Sequence, residues 1–204
     1  MEKLDLRKTL KRFYAPSAKA PEMVEVPEMP YLMIDGQGDP NTSQDFMDAM
    51  QALFTVGYTL KFALKKRPDN PVDFGVMAPE GLWWTEGGDF SYTERDNWRW
   101  TLIMPLPDAV SEPDFAAACE EVRRKKKDVP ALEKLRFERW HEGLCATIMH
   151  LGPYCDEPAT IERLHAFIAE QGRTLRGKHH EIYLSDPRRT APEKLKTILR
   201  QPVA

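Results

Sequence analysis

A carboxylate and a phenol alternate with apolar residues in the segment 178–187, Lys-His-His-Glu-Ile-Tyr-Leu-Ser-Asp-Pro. The pattern predicts a β-strand, in which successive side chains point to opposite faces. If Ile182 and Leu184 enter the core, Glu181 and Tyr183 share the other face and lie in a groove or in water. A carboxylate can accept a proton and a phenol can donate a hydrogen bond, so the pair predicts a small-molecule site.

Tryptophans are the candidates for an aromatic wall of that site, namely Trp83, Trp84, Trp98 and Trp100. Trp98 and Trp100 share one face of a predicted strand. Tryptophans at such positions more often pack in a core than contact a ligand, but a wall that lines a cleft is also the core beneath it. We expect Trp100 and one of Trp83 or Trp84 to stack on a planar ligand.

Two further side chains belong to the candidate site. Tyr154 follows a glycine-proline pair at the end of a predicted strand, where it either reaches over the cleft or packs within the turn. His150 lies on the strand predicted to face Glu181 and can line the same cleft. We therefore expect Glu181, Tyr183 and Tyr154 to be catalytic and His150 to contact the ligand.

Other polar motifs favour no metal or organic cofactor. His141-Glu142 lacks the second histidine of a zinc-protease helix, so no metal site is expected. Asp156 and Glu157 stand at the start of a predicted helix, where acidic residues usually cap the helix or complement its dipole. We therefore assign those two carboxylates to helix capping.

Composition narrows the class of protein. The chain has 204 residues with 42% hydrophobic and 30% charged, which suits one large domain or two small repeats with a shared core. The net charge of -3 argues against direct nucleic-acid binding. The basic run at 123–127 is most simply a solvated helix face that complements the helix dipole, and its surplus charge is the one feature that suggests an acidic partner. No segment resembles a membrane span or a secretion signal. The 3 cysteines form no paired motif, so we expect a cytoplasmic protein.

The hydrophobic pattern predicts the elements that position these residues. Residues 1–30 are expected to form an extended lead-in, because 4 prolines lie between 12 and 30. A strand at 31–36 should follow, then a helix that begins at Thr42 or Ser43 and ends near 66–68, strands at 74–77 and 98–104, and a helix at about 112–127.

The same order of elements then begins again. A strand at 145–152, a helix from 157 and strands at 181–184 and 195–199 are predicted, with 181–184 corresponding to 74–77. The fold class is therefore α+β, with two pseudo-symmetric strand-helix-strand-strand repeats at about 31–128 and 140–204. We expect antiparallel sheets with helices on one face and a central ligand cleft.

Several stretches together resemble the GyrI-like small-molecule-binding family, in its stand-alone branch. They are VPEMPYLMIDGQGDPN at 26–41, YTLKF at 58–62, EGLWW at 80–84, WRWT at 98–101, GPY at 152–154 and HEIYLSDP at 180–187. The resemblance covers nearly the whole chain and implies one GyrI-like domain over 31–204, built from two sheet-plus-helix modules around a ligand cleft.

The family resemblance also implies a range of activities. Some relatives are fused to helix-turn-helix regulators and bind drugs, others inhibit gyrase, and a stand-alone set resembles hydrolases that open the strained cyclopropane of alkylating natural products. This sequence leaves no segment for a helix-turn-helix module. The acidic residue that the family carries in the corresponding strand maps onto Glu181.

Residues and resemblance together lead to a functional hypothesis. We expect a protein that binds planar aromatic compounds and hydrolyses an electrophilic cyclopropane, with Glu181 deprotonating a water and Tyr183 or Tyr154 stabilising the phenolate. Two alternatives are a sequestering protein for a cationic aromatic ligand, with Glu181 as the counter-charge, and a gyrase inhibitor. A small aromatic or cationic ligand is the expected partner, together with a weak homodimer.

Overall fold

The computed structural model describes residues 3–86, 95–125 and 128–204. The strands are β1 Lys3–Leu4, β2 Glu22–Gln37, β3 Asp73–Phe74, β4 Glu80–Thr85, β5 Trp98–Pro105, β6 Arg136–Leu151, β7 His179–Tyr183 and β8 Lys196–Pro202. The helices are α1 Leu6–Thr9, α2 Lys11–Tyr14, α3 Gln44–Lys65, α4 Glu112–Arg124 and α5 Glu157–Glu170. Short 3-10 turns lie at Arg95–Asn97, Leu132–Lys134, Tyr154–Asp156 and Pro192–Lys194.

Six strands form one sheet in the order β2-β5-β4-β7-β8-β6, which closes into a barrel. The pairs β2–β5, β4–β7, β7–β8 and β6–β8 are all antiparallel. Strands β1 and β3 form a separate parallel pair. The mixture of helices and antiparallel sheet confirms the predicted α+β class. None of the helices in the described ranges is long and apolar enough to cross a membrane.

The chain divides into two compact units. The first contains residues 1–9, 29–79 and 84–140. Its long helix, α3, begins as predicted because the Ser43 hydroxyl accepts a hydrogen bond from the Phe46 N–H at 3.3 Å. Along α3, the buried residues Leu53, Val56, Leu60 and Leu64 recur every three or four positions, which gives the helix one apolar face.

The second unit contains residues 10–28, 80–83 and 141–204. Its core forms where α5 packs on β6 and β8. Ile161, Leu164 and Ile168 are buried on one face of the helix and belong to one cluster with Ile148 and Leu199 of the strands. This packing brings the first turn of α5 beside the strands that carry Glu181 and its neighbours.

The predicted extended lead-in over residues 1–30 is wrong in its first half, which contains two short helices. Residues 6–9 and 11–14 are helical, and β2 begins at Glu22, so the expected boundary at residue 31 falls inside a strand. Val24 and Val26 are buried while Glu25 is exposed, which is the alternation of a half-buried strand. Proline fixes φ and removes the backbone N–H but permits extended backbone, so the prediction holds from Glu22 to residue 30, where β2 runs.

The predicted strand at 74–77 is also wrong. Strand β3 ends at Phe74, and the strand that pairs with β7 is β4, with Gly81 opposite Glu181. Strand β6 starts at Arg136, well before the predicted residue 145. The order strand, helix, strand, strand occurs in both halves of the chain. The twofold relation between the repeats and the central cleft stay predictions.

Gly36 is the one residue of β2 that leaves room for the Trp100 ring. The two residues are partners across β2 and β5, and a Cβ built on Gly36 would lie 2.1 Å from the Trp100 ring. We expect Gly36→Ala to lower the free energy of unfolding by about 1–3 kcal/mol, because the fully buried indole cannot retreat without repacking the core. Urea titration of the purified variant measures this loss.

Gly75→Ala is the matched control in the same unit, since its Cβ would meet only the flexible end of Lys3 at 3.5 Å. We expect it to stay within about 0.5 kcal/mol of the wild type. Equal midpoints for the two variants would contradict the packing described for Gly36.

Candidate active site

Strand β7 sends its side chains to two faces with different chemistry. Gly81 pairs with Glu181 and Trp83 pairs with His179, so these four residues and Tyr183 share one face. His180 and Ile182 point to the other face, and both are buried. The predicted alternation of this strand is therefore confirmed, although Leu184 lies beyond its end.

A directed chain of hydrogen bonds holds the Glu181 carboxylate. The Trp83 indole N–H donates to the Tyr183 hydroxyl oxygen at 2.9 Å. The Tyr183 hydroxyl in turn donates to Glu181 Oε2 at 2.9 Å. Because an indole can only donate, the tyrosine proton must point at the carboxylate. The other carboxylate oxygen, Oε1, lies 3.4 Å from His179 Nε2, and the Glu181 side chain is 17% exposed.

Gly81 makes the approach of Trp83 to Tyr183 sterically feasible. A Cβ at this position would lie 2.5 Å from Trp83 Nε1 and 3.0 Å from the Tyr183 hydroxyl oxygen. Any larger side chain would push the indole away from the phenol. The glycine at position 81, two residues before Trp83, is therefore required for steric reasons.

The start of α5 adds a second carboxyl group to this face. Glu157 is buried, and burial followed by the negative charge of Glu181 raises the pKa of Glu157 to about 9. The Thr197 hydroxyl is close enough to oppose this rise without forming an aligned hydrogen bond. Assigning Glu157 to helix capping was therefore wrong, because the side chain lies inside the protein, where the acid is neutral at pH 7.

Two phenols border the carboxyl pair. The Tyr154 and Tyr183 rings meet edge to face, with centroids 6.0 Å apart. Partial desolvation raises the pKa of Tyr154 to about 12, with further contributions from Glu157 and Glu181, while 40% of the residue remains exposed. Burial also raises the pKa of Tyr183 well above its ordinary value, again with help from both carboxyl groups. Both phenols therefore keep their protons at neutral pH and remain hydrogen-bond donors.

His150 serves the turn that carries Tyr154. Its Nε2 lies 3.2 Å from the Pro153 carbonyl oxygen and its Nδ1 lies 2.9 Å from the Thr160 hydroxyl. The carbonyl can only accept, so Nε2 carries the proton and Nδ1 accepts from Thr160. Both ring nitrogens are engaged, which favours a positioning role over the predicted ligand contact.

The remaining predicted tryptophans belong to the first unit. Trp100 is fully buried and packs edge-on against Phe46, with centroids 5.2 Å apart. Trp98 is half-buried beneath the Arg95 guanidinium, which lies 5.5 Å from its ring centroid. Trp84 is half-buried as well. Core packing accounts for Trp100, and ligand contact by these three residues stays a prediction.

An apolar groove of about 620 Å³ lies in the first unit, between α3 and α4. Phe54, Tyr58 and Phe62 line one wall at successive turns of α3. Ala117 and Ala118 of α4 line the other wall. None of the predicted site residues borders this groove.

The basic run predicted to reach an acidic partner is paired within α4 and its neighbours. Arg123 binds Glu133, and both Arg124 and Lys125 bind Glu121. This pairing is typical of a solvated helix face. Residues 126 and 127 of the run lie outside the described ranges.

Comparisons with known proteins identify the family of this chain. A profile of the GyrI-like small molecule binding domain matches residues 107–204. An uncharacterized conserved protein from Listeria innocua is 43% identical, with a TM-score of 0.92 over 98% of this chain and 100% of that one. This chain belongs to the GyrI-like family.

A hydrolase from the same bacterium is 42% identical to this GyrI-like chain, with a TM-score of 0.91 and complete coverage of both chains. The EcmrR C-terminal domain shares the fold at 16% identity, with a TM-score of 0.54 over 90% of this chain and 96% of that one. Comparison with curated proteins gave no match. Within the described ranges, no group of three or more His, Cys, Asp and Glu side chains is arranged to hold a metal ion.

The opposite face of β7 in this GyrI-like protein carries a buried ionic network that the sequence did not reveal. His180 Nε2 lies 2.9 Å from Glu80 and its Nδ1 lies 2.8 Å from Glu142. Arg200 Nη1 lies 3.1 Å from the other Glu142 oxygen. The Tyr14 hydroxyl donates to Glu80 at 2.8 Å. These five side chains are buried, so the network anchors β7 and residue 14 in the second unit.

Mutual compensation keeps this network charged. Burial alone would lower the pKa of His180, but the charge and hydrogen bond of Glu142, together with Glu80, raise it to about 9. Burial alone would raise the pKa of Glu142, but His180 and Arg200 lower it to about 2. The sequence carries only a weak sign of this network. Arg200 appears as one charged residue within an apolar strand, and Glu142 appears as a polar residue next to Gly143.

Gly143 accounts for the side on which Glu142 lies. Ala146 and Ile148 of β6 face α5, and an uninterrupted strand would send residue 142 to that same face. Gly143 has a φ of +78°, a left-handed conformation that is typical of a β-bulge. This conformation departs from the extended backbone on either side of it, and Glu142 beside it meets His180 and Arg200.

We expect Glu142→Gln to lower the free energy of unfolding by about 3–5 kcal/mol, because it leaves buried cations without their partner. Exposed Glu25→Gln is the control, since that side chain is 59% exposed. Denaturant titrations at several pH values measure both. A Glu142→Gln midpoint equal to that of the control would contradict the ionic network.

The pH dependence of the free energy of unfolding follows from the shifted pKa values of His180 and Glu142. The His180 pKa is raised, so its contribution is complete below pH 6.5 and is lost as the pH rises through about 9. The Glu142 pKa is lowered, so its contribution is complete above pH 4.5 and is lost as the pH falls through about 2. The wild type should therefore gain most from the network between these limits, and Glu142→Gln should flatten the profile.

Proposed function

We propose that this protein is a hydrolase that opens an electrophilic cyclopropane on a planar aromatic compound, with Glu181 as the base that activates water. The observation that carries the proposal is the hydrogen-bond chain from Trp83 through Tyr183 to Glu181. This chain orients the Glu181 carboxylate through Oε2. Neither Trp83 nor Tyr183 donates to the other oxygen, Oε1, which lies 3.4 Å from His179 Nε2. Membership of the GyrI-like family and the 42% identical hydrolase support a small-molecule substrate.

The chemistry of the proposed step balances with water alone. Glu181 takes a proton from the water as its oxygen bonds to the strained ring carbon. The carbon-carbon bond of the cyclopropane breaks, and its electron pair passes into the conjugated dienone, which becomes a phenolate. The Tyr154 hydroxyl, which keeps its proton to a pH of about 12, donates a hydrogen bond to that oxygen.

Aromatic side chains fix the substrate in this proposal. Trp83 presents its ring beside Tyr183, and stacking on it would align a flat compound with the carboxylate. Trp84, Trp98 and Trp100 remain further candidates for contact with the ligand. The protein works in the cytoplasm, as a monomer or weak homodimer, without a metal or organic cofactor.

Replacing Glu181 tests the mechanism directly. Glu181→Gln removes the base but preserves the side-chain shape and the hydrogen bond from Tyr183. We expect ring opening of a cyclopropane-bearing alkylator to fall by about 10²–10⁴-fold, while the compound still binds. Mass spectrometry of the product measures the turnover, and quenching of tryptophan fluorescence measures binding.

Glu193→Gln is the control, since that side chain is exposed and lies in the turn at Pro192–Lys194. Unchanged turnover in Glu181→Gln would rule out Glu181 as the base. Tight binding without any turnover by the wild type would instead identify a sequestering protein.

A further inference from the structure

Two buried polar atoms beside Glu181 have no hydrogen-bond partner among the described residues. They are Glu157 Oε1 and Thr197 Oγ1. Glu157 is 4% exposed and Thr197 is 0% exposed. The Thr197 hydroxyl lowers the pKa of Glu157 but is not aligned to donate to Oε1, so neither atom has a well-formed hydrogen bond. Because buried polar atoms in proteins are nearly always paired, this arrangement points to a ligand group that pairs with them.

The fold brings both atoms to the face of β7 that carries the proposed base. Thr197 of β8 is the direct cross-strand partner of Tyr183, so their side chains share a face. Glu157 lies in the first turn of α5, which packs on the same strands. The mutual electrostatic effects of Glu157, Glu181 and Tyr183 confirm that the three groups are neighbours.

We infer that Glu157 is a second catalytic residue, the acid that delivers a proton to the substrate oxygen while Glu181 accepts one from water. This inference rests on the proposed function and adds the missing half of its proton transfer. The Thr197 hydroxyl would hold the same substrate oxygen or the attacking water.

The two carboxyl groups complete the proton balance of the reaction. At the start of the proposed step Glu157 holds the proton and Glu181 is the acceptor. Water adds its oxygen to the ring carbon and its proton to Glu181, while Glu157 gives its proton to the phenolate oxygen. The product is a phenol with one molecule of water added, and a single proton transfer from Glu181 to Glu157 restores the pair.

The surroundings of Glu157 explain why it can hold a proton at neutral pH. Glu181 and Tyr183 face it from β7, and Tyr154 and Cys155 face it from the turn before α5. No cation is among the groups that shift its pKa, which burial and Glu181 raise to about 9. A carboxyl group with such a pKa is typical of a general acid.

The test is the pH dependence of ring opening in Glu157→Gln. In the wild type, the rate should fall as the pH rises through about 9, because Glu157 then loses its proton. The variant should lose about 10²–10⁴-fold in rate at pH 7 and should lack that alkaline decline. Glu157→Asp keeps an acid and should retain the decline at a reduced rate.

A second measurement does not depend on activity. Infrared spectroscopy of the wild type should show a protonated carboxyl band at pH 7 that titrates near pH 9 and is missing in Glu157→Gln. Exposed Glu162→Gln on the same helix is the control and should leave the rate and the band unchanged.

The outcomes separate this inference from the proposed function. If Glu181→Gln abolishes turnover but Glu157→Gln retains the wild-type rate and alkaline decline, Glu157 is not the acid and the base assignment survives. If the wild type opens no cyclopropane, both proposals are overturned. Absence of the carboxyl band would overturn the protonated Glu157 whatever the rates.

Discussion

Two buried carboxylates bind the two ring nitrogens of His180. The rest of the second unit depends on this interaction. Glu80 and Glu142 hold the two ring nitrogens, and Arg200 balances the charge of Glu142. Burying charged groups is costly and is tolerated only with close pairing, so these contacts favour a single register of β7. Since side chains alternate along a strand, this register also fixes Glu181 and Tyr183 on the opposite face.

The face of β7 opposite to His180 carries the groups of the proposed catalysis. Glu181 is held in place by Tyr183, and Glu157 enters from α5 into a setting with no compensating cation among the groups that shift its pKa. The same strand thus separates two kinds of carboxyl site. On one side, cations keep Glu142 ionised, and on the other side, burial and a neighbouring charge keep Glu157 protonated.

Local patterns in the sequence predicted the elements well where one periodicity dominated. The alternation around Glu181 and the Ser43 cap of α3 both predicted the observed structure. Prediction failed where several signals competed. Pro27 and Pro30 outweighed the alternating valines of β2 in the prediction. The apolar residues after Phe74 predicted a strand there, although the strand begins at Glu80. Proline and short apolar runs are ambiguous without their tertiary partners.

The sequence by itself determined the α+β class, the family and the shared face of Glu181 and Tyr183, because each follows from local patterns and motifs in the chain. Only the tertiary structure decided that Glu157 and Thr197 join that face and that His150 supports a turn. Pairing between β7 and β8 joins Tyr183 to Thr197, and the packing of α5 adds Glu157 from a separate element. Burial, which raises the pKa of Glu157, exists only after folding.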